Sequence, residues 1–182
     1  MKLNLGCGSR KIHGFINVDA REECSPDAVY PIENISTLYF NKATLIYACH
    51  VLEHFPKNDI SKVLVDWHKC LKPGGKIRLS VPSIDTVIKA YTLYNDLDMV
   101  HGFLYGGQKN PFDYHKTIFN FSKLEKLLVS AGFVDVHTYD WRNTEHAYVD
   151  DYSQAYLPHM DKIHGLHMSL NVEAVKPEFY PQ

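Results

Sequence analysis

The chain has 182 residues, 45% hydrophobic and 22% charged, with a formal net charge of −2. That length predicts one domain, residues 1–182, with a core of ordinary size. The balanced charge gives no electrostatic footprint for nucleic acid or an anionic membrane, and no run approaches the ~18 apolar residues of a membrane helix.

The first apolar residues already form a strand that runs into glycines, which argues against a signal peptide. Cys7, Cys24, Cys49 and Cys70 include no Cys-x-x-Cys pair. Reduced thiols in a cytoplasmic protein fit that spacing better than a zinc site or a disulfide framework.

Leu3-Asn4-Leu5-Gly6-Cys7-Gly8 reads as a buried strand ending in a loop that lets a ligand approach the backbone. A second apolar run, Phe15-Ile16-Asn17-Val18, ends at Asp19. An acid there suits the ribose hydroxyls of an adenosine-type cofactor. A dinucleotide fingerprint would carry a third glycine where Lys11 stands, and about 20 residues to the acid. Here Gly6 and Asp19 are 13 residues apart, leaving room for only about one turn of helix. A weak helix N-terminus is a poor pyrophosphate site, which favours a cofactor without phosphate, S-adenosylmethionine, over a nicotinamide dinucleotide.

Strand and helix patterns then alternate, which predicts a parallel α/β sheet. Residues 28–30 read as a third strand and 43–49 as a buried fourth. Ile60, Val63, Leu64, Trp67 and Leu71 form one stripe of a helix over 58–71, with Asn58 or Asp59 as cap and Pro73-Gly74-Gly75 ending it. Residues 76–81 alternate as a fifth strand, 84–96 suit a helix, and 102–118 read as loop. Ser122-Lys-Leu-Glu125 is a capping box opening a helix with Gly132 at its end. Residues 133–139 and 168–176 read as the last strands, joined by a long connection over 140–167.

Taken together, Leu3–Gly8, Asn17-Val18-Asp19, Ala48–His54 and Leu71–Gly75 resemble the class I S-adenosylmethionine-dependent methyltransferases, most closely the small type 11 kind. Tyr105-Gly-Gly, His115-Lys-Thr117, Ala131-Gly-Phe133 and Ser169–Ala174 look further like predicted methyltransferases linked to bacterial polysaccharide biosynthesis. The resemblance implies a Rossmann-like α/β sheet of order 3-2-1-4-5-7-6, with strand 7 antiparallel.

It also implies an enzyme using S-adenosyl-L-methionine to methylate an oxygen or nitrogen of a small-molecule or saccharide acceptor. By position, Gly6, Cys7 and Gly8 would wrap the methionine part, Asp19 would hold the ribose, and Ala48, Cys49 and His50 would face the methyl group. Asn4 stands where the family commonly has an acid for the amino group, and backbone around Ile32 replaces an acid near the adenine. Arg10 or Lys11 would reach the cofactor's carboxylate.

His50 and His115 are the candidate bases for the acceptor's proton. His50-Val-Leu-Glu53-His54 also matches the inverted zinc-peptidase spacing, but Pro56 interrupts the helix that motif needs. This reading assigns no metal, although the segment is similar to that of some ubiquinone-pathway O-methyltransferases, which hold one at the positions of His50, Glu53 and His54, with an acid in place of His50; that resemblance leaves a metal there open. His159, His164 and His167 read as surface or acceptor-loop residues. The expected partners are the acceptor alone or with a second copy of the chain. A catalytically inactive cofactor-binding or scaffold protein is the alternative that Asn4 and Pro31 leave open.

Overall fold

The computed structural model describes residues 1–178. Seven strands form one sheet: β1 Lys2–Leu5, β2 Ile16–Asp19, β3 Ala28–Val29, β4 Ala43–Cys49, β5 Leu71–Pro82, β6 Val134–Thr138 and β9 Ser169–Val175. Their order is β3-β2-β1-β4-β5-β9-β6. Neighbours from β3 to β5 are parallel, and β9 lies antiparallel between β5 and β6. This is the expected topology, with the last strand inserted before the sixth position. β7 Tyr156–Leu157 and β8 Leu166–His167 make a separate hairpin.

Alternation along each strand gives the sheet two unlike faces. Leu3, Leu5, Val18, Ile46, Ala48, Ile77, Leu79, Val172 and Ala174 are fully buried on one face. After the short helix α1 (Ser36–Tyr39), helices α2 (Ile60–Cys70) and α5 (Phe121–Ser130) contribute Val63, Leu64, Trp67, Leu124 and Leu128 to the same core. Fully burying such side chains is worth about 1.5–3 kcal/mol each.

The opposite face carries Asn4, Asn17, Tyr47, Arg78, Asn171 and Glu173, and a strap over residues 141–155 covers it instead of a helix. Several of these polar groups find a partner in the strap or a neighbouring strand. Tyr47 donates its hydroxyl to Asp151 at 2.7 Å, and Asn171 donates to the Ser153 carbonyl at 3.0 Å. Arg78 bridges Glu173 and Glu145. The His146 ring packs on Tyr47 at 4.2 Å and on Phe15 at 5.8 Å.

Several local expectations are corrected. Between β1 and β2 there is no helical turn, only tight turns such as Arg10 N–H to the Cys7 carbonyl. The stretch read as loop begins inside helix α4, Leu97–Tyr105, capped by Asp96, which accepts from Asp98 and Met99. Gly102 masked it, because glycine weakens a helical pattern without preventing the helix.

Helix α5 is capped two residues earlier than Ser122, by Asn120, whose side chain accepts from Lys123 N–H. Asp59 occupies the N-cap of α2 without a side-chain cap bond. Pro73-Gly74-Gly75 lies inside β5 as an irregularity between the Ala43–Leu71 and Leu45–Lys76 pairs. A Cβ on Gly75 would stand 2.8 Å from the Lys72 carbonyl oxygen, so this fold admits only glycine there. Helix α3 spans Ile84–Tyr94 and packs with α4 over Met168. No helix among the described residues is long and apolar enough to cross a membrane.

Candidate active site

The carboxyl ends of β1, β2 and β4 bring the sequence-selected residues to one edge of the sheet, where open α/β sheets bind ligands. Gly6 and Gly8 take positive φ of 65° and 49°. A Cβ on Gly6 would lie 2.5 Å from Val51 Cγ2, so the glycine loop packs directly against the residue after His50. Cys7 N–H anchors the loop to the Val18 carbonyl at 3.0 Å.

Asp19 is buried at the tip of β2. One of its oxygens accepts from Gly8 N–H at 2.8 Å. The other accepts from the Arg21 backbone N–H at 3.0 Å and its Nε at 3.1 Å. The acid therefore shapes the loop as well as offering its remaining lone pairs. Arg21 escaped the sequence reading, which had looked to Arg10 and Lys11; both of those are exposed.

Asn4 Nδ2 donates to the Arg10 carbonyl and to Asn17 Oδ1, tying the loop to β2. Ile32 is in the core, and its carbonyl accepts from the Trp67 indole at 2.8 Å. Burial, with Asp19 adding to it, pushes the Cys7 thiol up to about 12, and burial also raises Cys49 well above the usual range. Neither is a nucleophile at neutral pH.

His50 ends β4 with φ 51°, its N–H on the Ser80 carbonyl. Its ring stacks on Tyr152 at 5.0 Å. Nε2 lies 2.8 Å from Ser169 Oγ, whose proton goes to the Tyr152 carbonyl at 2.6 Å. Ser169 must then accept from His50, which leaves Nδ1 bare, 3.4 Å from Glu53 Oε1. The tautomer is assigned from these partners.

His115 reaches the same carboxylate from the loop after α4. Its Nδ1 donates to the Phe103 carbonyl at 3.0 Å, and Nε2 lies 3.8 Å from Glu53 Oε1. Burial lowers the pKa of both rings, and of His50 further through the neighbouring His115, His54 and His167. Both are therefore neutral at physiological pH. Burial raises the Glu53 carboxyl to about 8.

The structure thus brings His50 and His115 together on Glu53, and adds Tyr152 and Ser169 as the partners of His50. The unusual length of the 140–167 connection was the one signal that pointed toward Tyr152. His159 and His164 stay exposed, away from these contacts.

Comparison with known proteins agrees with this fold. A methyltransferase domain family matches residues 6–138, and the chain belongs to that family. It thus carries a methyltransferase domain. A methyltransferase from Methanosarcina mazei shares the fold at 16% identity, covering 97% of this chain and 92% of that one with a TM-score of 0.61. One from Archaeoglobus fulgidus does so at 17% identity, over 96% and 85%, with a TM-score of 0.58. The carbon methyltransferase CurJ gives 16% identity, over 97% of this chain and 48% of its own, with a TM-score of 0.59.

The chain spans 61% of a structurally similar Bordetella parapertussis protein. No curated protein matches the sequence significantly. At these identities the structures speak for the fold alone.

The loop's own geometry fits S-adenosylmethionine, the cofactor that the resemblance implies. Gly8 at positive φ has only Arg21 Nη2 near its would-be Cβ, at 3.5 Å, so its backbone is open to a ligand. Asp19, beside it, supplies an acceptor for hydroxyls.

Proposed function

We propose that this domain methylates an oxygen or nitrogen of a small-molecule or saccharide acceptor, with His50 and His115 serving that acceptor. The observation that carries this reading is the meeting of two neutral imidazoles on Glu53, with His50 one residue from Val51, the side chain that packs on Gly6. Gly6, Cys7, Gly8, Asn4 and Ile32 would line the cofactor's binding edge, Asp19 would hold its ribose, and Ala48, Cys49 and His50 would border the methyl group.

S-adenosylmethionine, when bound, supplies an activated methyl group on a sulfonium. The chain's task is alignment, and holding a nucleophile in line can supply about 7–11 kcal/mol. His115 or His50, neutral through burial, takes the proton that the acceptor loses as its new bond to carbon forms, worth roughly 10²–10⁴-fold. Tyr152 stacks on His50 and fixes its plane. Tyrosines of the strap and of the 105–114 loop suit stacking on a sugar or aromatic ring.

Calorimetry with S-adenosylmethionine and S-adenosylhomocysteine tests the cofactor half of this reading. Binding of both at micromolar concentrations is expected. Absence of binding at about 1 mM, the weak end of specific recognition, would sink it.

A further inference from the structure

We propose that Glu53, His54 and His115 form a binding site for a first-row divalent cation, with zinc(II) as the reference ion. One ligand atom from each lies within 4.8 Å of the others. Glu53 is fully buried, yet neither carboxylate oxygen has a hydrogen-bond partner among the described residues. Buried polar groups are almost always paired, so this one calls for a physical account.

The histidines supply it. His54 Nδ1 lies 3.2 Å from the Tyr114 carbonyl and His115 Nδ1 3.0 Å from the Phe103 carbonyl. A carbonyl only accepts, so each Nδ1 carries the hydrogen and each neutral ring keeps its lone pair on Nε2. Metal-binding imidazoles are held in this way, with the far nitrogen donating to a backbone carbonyl. His50, through Ser169, is fixed in the opposite tautomer, with its bare Nδ1 3.4 Å from Glu53 Oε1.

Three ring lone pairs and two carboxylate oxygens thus gather with no donor hydrogen between them. A proton on Glu53 can serve only one of the three nitrogens. A cation accepts from all the ligands at once.

The donor set of two imidazoles and one carboxylate suits zinc, iron(II) or manganese and leaves a position open. Zinc bonds of about 2.0–2.2 Å place tetrahedral ligand atoms about 3.4 Å apart, so side-chain shifts of about 1 Å close the site. The frame for that closure is firm. The Glu53 carbonyl accepts from Lys116 N–H at 2.7 Å and Thr117 N–H at 3.1 Å. Thr117 Oγ1 donates to the Phe55 carbonyl at 3.0 Å. The open position would hold an acceptor oxygen, with His50 and not His115 then taking its proton, because the one lone pair of His115 lies on the cation; that role rests on the proposed methyl transfer, whereas the cation site itself does not.

The test is cobalt(II) titration of the chelator-treated, tag-free chain, followed by visible absorption, with zinc(II) added in competition. One equivalent of cobalt is expected, with ligand-field bands that zinc abolishes. His115→Ala and Glu53→Gln should each weaken binding about 100-fold, while His164→Ala leaves it unchanged. If a variant misfolds by circular dichroism, His54→Gln takes its place with the same expectation. No stoichiometric binding of either ion, or equal binding in all variants, overturns the site. Loss of S-adenosylhomocysteine binding with an intact cobalt spectrum would count against the methyltransferase reading and not against the cation site.

Discussion

His50 and His115 approach one oxygen of Glu53 from opposite tautomers, with Nδ1 of the first at 3.4 Å and Nε2 of the second at 3.8 Å. Each ring is locked by a partner on its other nitrogen: Ser169 for His50, the Phe103 carbonyl for His115. Long-range ¹H–¹⁵N correlation spectra of the metal-free chain should therefore show His115 protonated on Nδ1 and His50 on Nε2. Because burial lowers both pKa values, the rings should stay neutral at pH values below the ~6.5 of a free histidine. A doubly protonated ring at pH 6.5 would contradict both assignments.

Asp19→Asn separates the two duties of this acid. The amide oxygen can still accept from Gly8 N–H, so the loop should fold, but the amide NH2 then faces the two Arg21 donors and the melting temperature should fall modestly. The charge that strengthens a hydroxyl hydrogen bond is gone, which should weaken S-adenosylhomocysteine binding about tenfold or more by calorimetry. An unchanged Kd would remove Asp19 from the ribose site.

Gly6→Ala should destabilise the protein by about 3 kcal/mol, because it combines strain at positive φ with a clash. The new methyl would stand 2.5 Å from Val51 Cγ2. Val51→Ala in the same chain should recover part of that loss. Denaturant unfolding of the single and double variants reads the coupling, and strict additivity would show that Val51 is not the obstacle.

Trp67→Phe should cost about 2 kcal/mol, since it leaves the buried Ile32 carbonyl without its 2.8 Å donor. The turn following β3 should loosen as well. Faster amide exchange in residues 32–35 of the variant than of the native chain, with exchange in the sheet unchanged, would register that local opening.

Glu145 provides a pH signature. Burial works against its ionised form, but hydrogen bonds from Arg78 and Lys2 outweigh it and hold the pKa at about 2. A carboxyl depressed in the folded state contributes stability above its unfolded pKa of ~4.3, and that contribution is lost as the pH falls toward about 2. Melting temperatures of Glu145→Gln should fall less than those of the native chain between these values. Parallel curves would show that the pairing adds nothing.

Much of the sheet was legible because its signals are local. The stripe of Ile60, Val63, Leu64 and Trp67 and the runs at residues 43–49 and 76–81 each announce their own burial. The glycine loop and Asp19 were legible for the same reason. Helix α4 was not, because Gly102 and Gly106 carry the composition of a loop, while Asp96 supplies a cap that outweighs them.

The pairing of His115 with Glu53 was invisible in the chain, since it depends on Lys116 and Thr117 bonding to the Glu53 carbonyl across a long sequence separation. The partners of His50, Tyr152 and Ser169, lie in or beyond the strap, which has no periodicity to read.

The covering of the polar face also sets an order of assembly. The loop between β1 and β2 is held from outside by Phe15 against His146 and by His13 N–H on the Tyr148 hydroxyl, a bond spanning 135 positions. β9, which completes the sheet, comes later still in the chain. Contacts this distant form slowly, because the connecting chain must first be confined. A growing polypeptide would make the loop well before residues 146–175, which support it and close the sheet, have emerged. Competence to hold a ligand at that loop therefore arises late, together with the closure of the whole sheet.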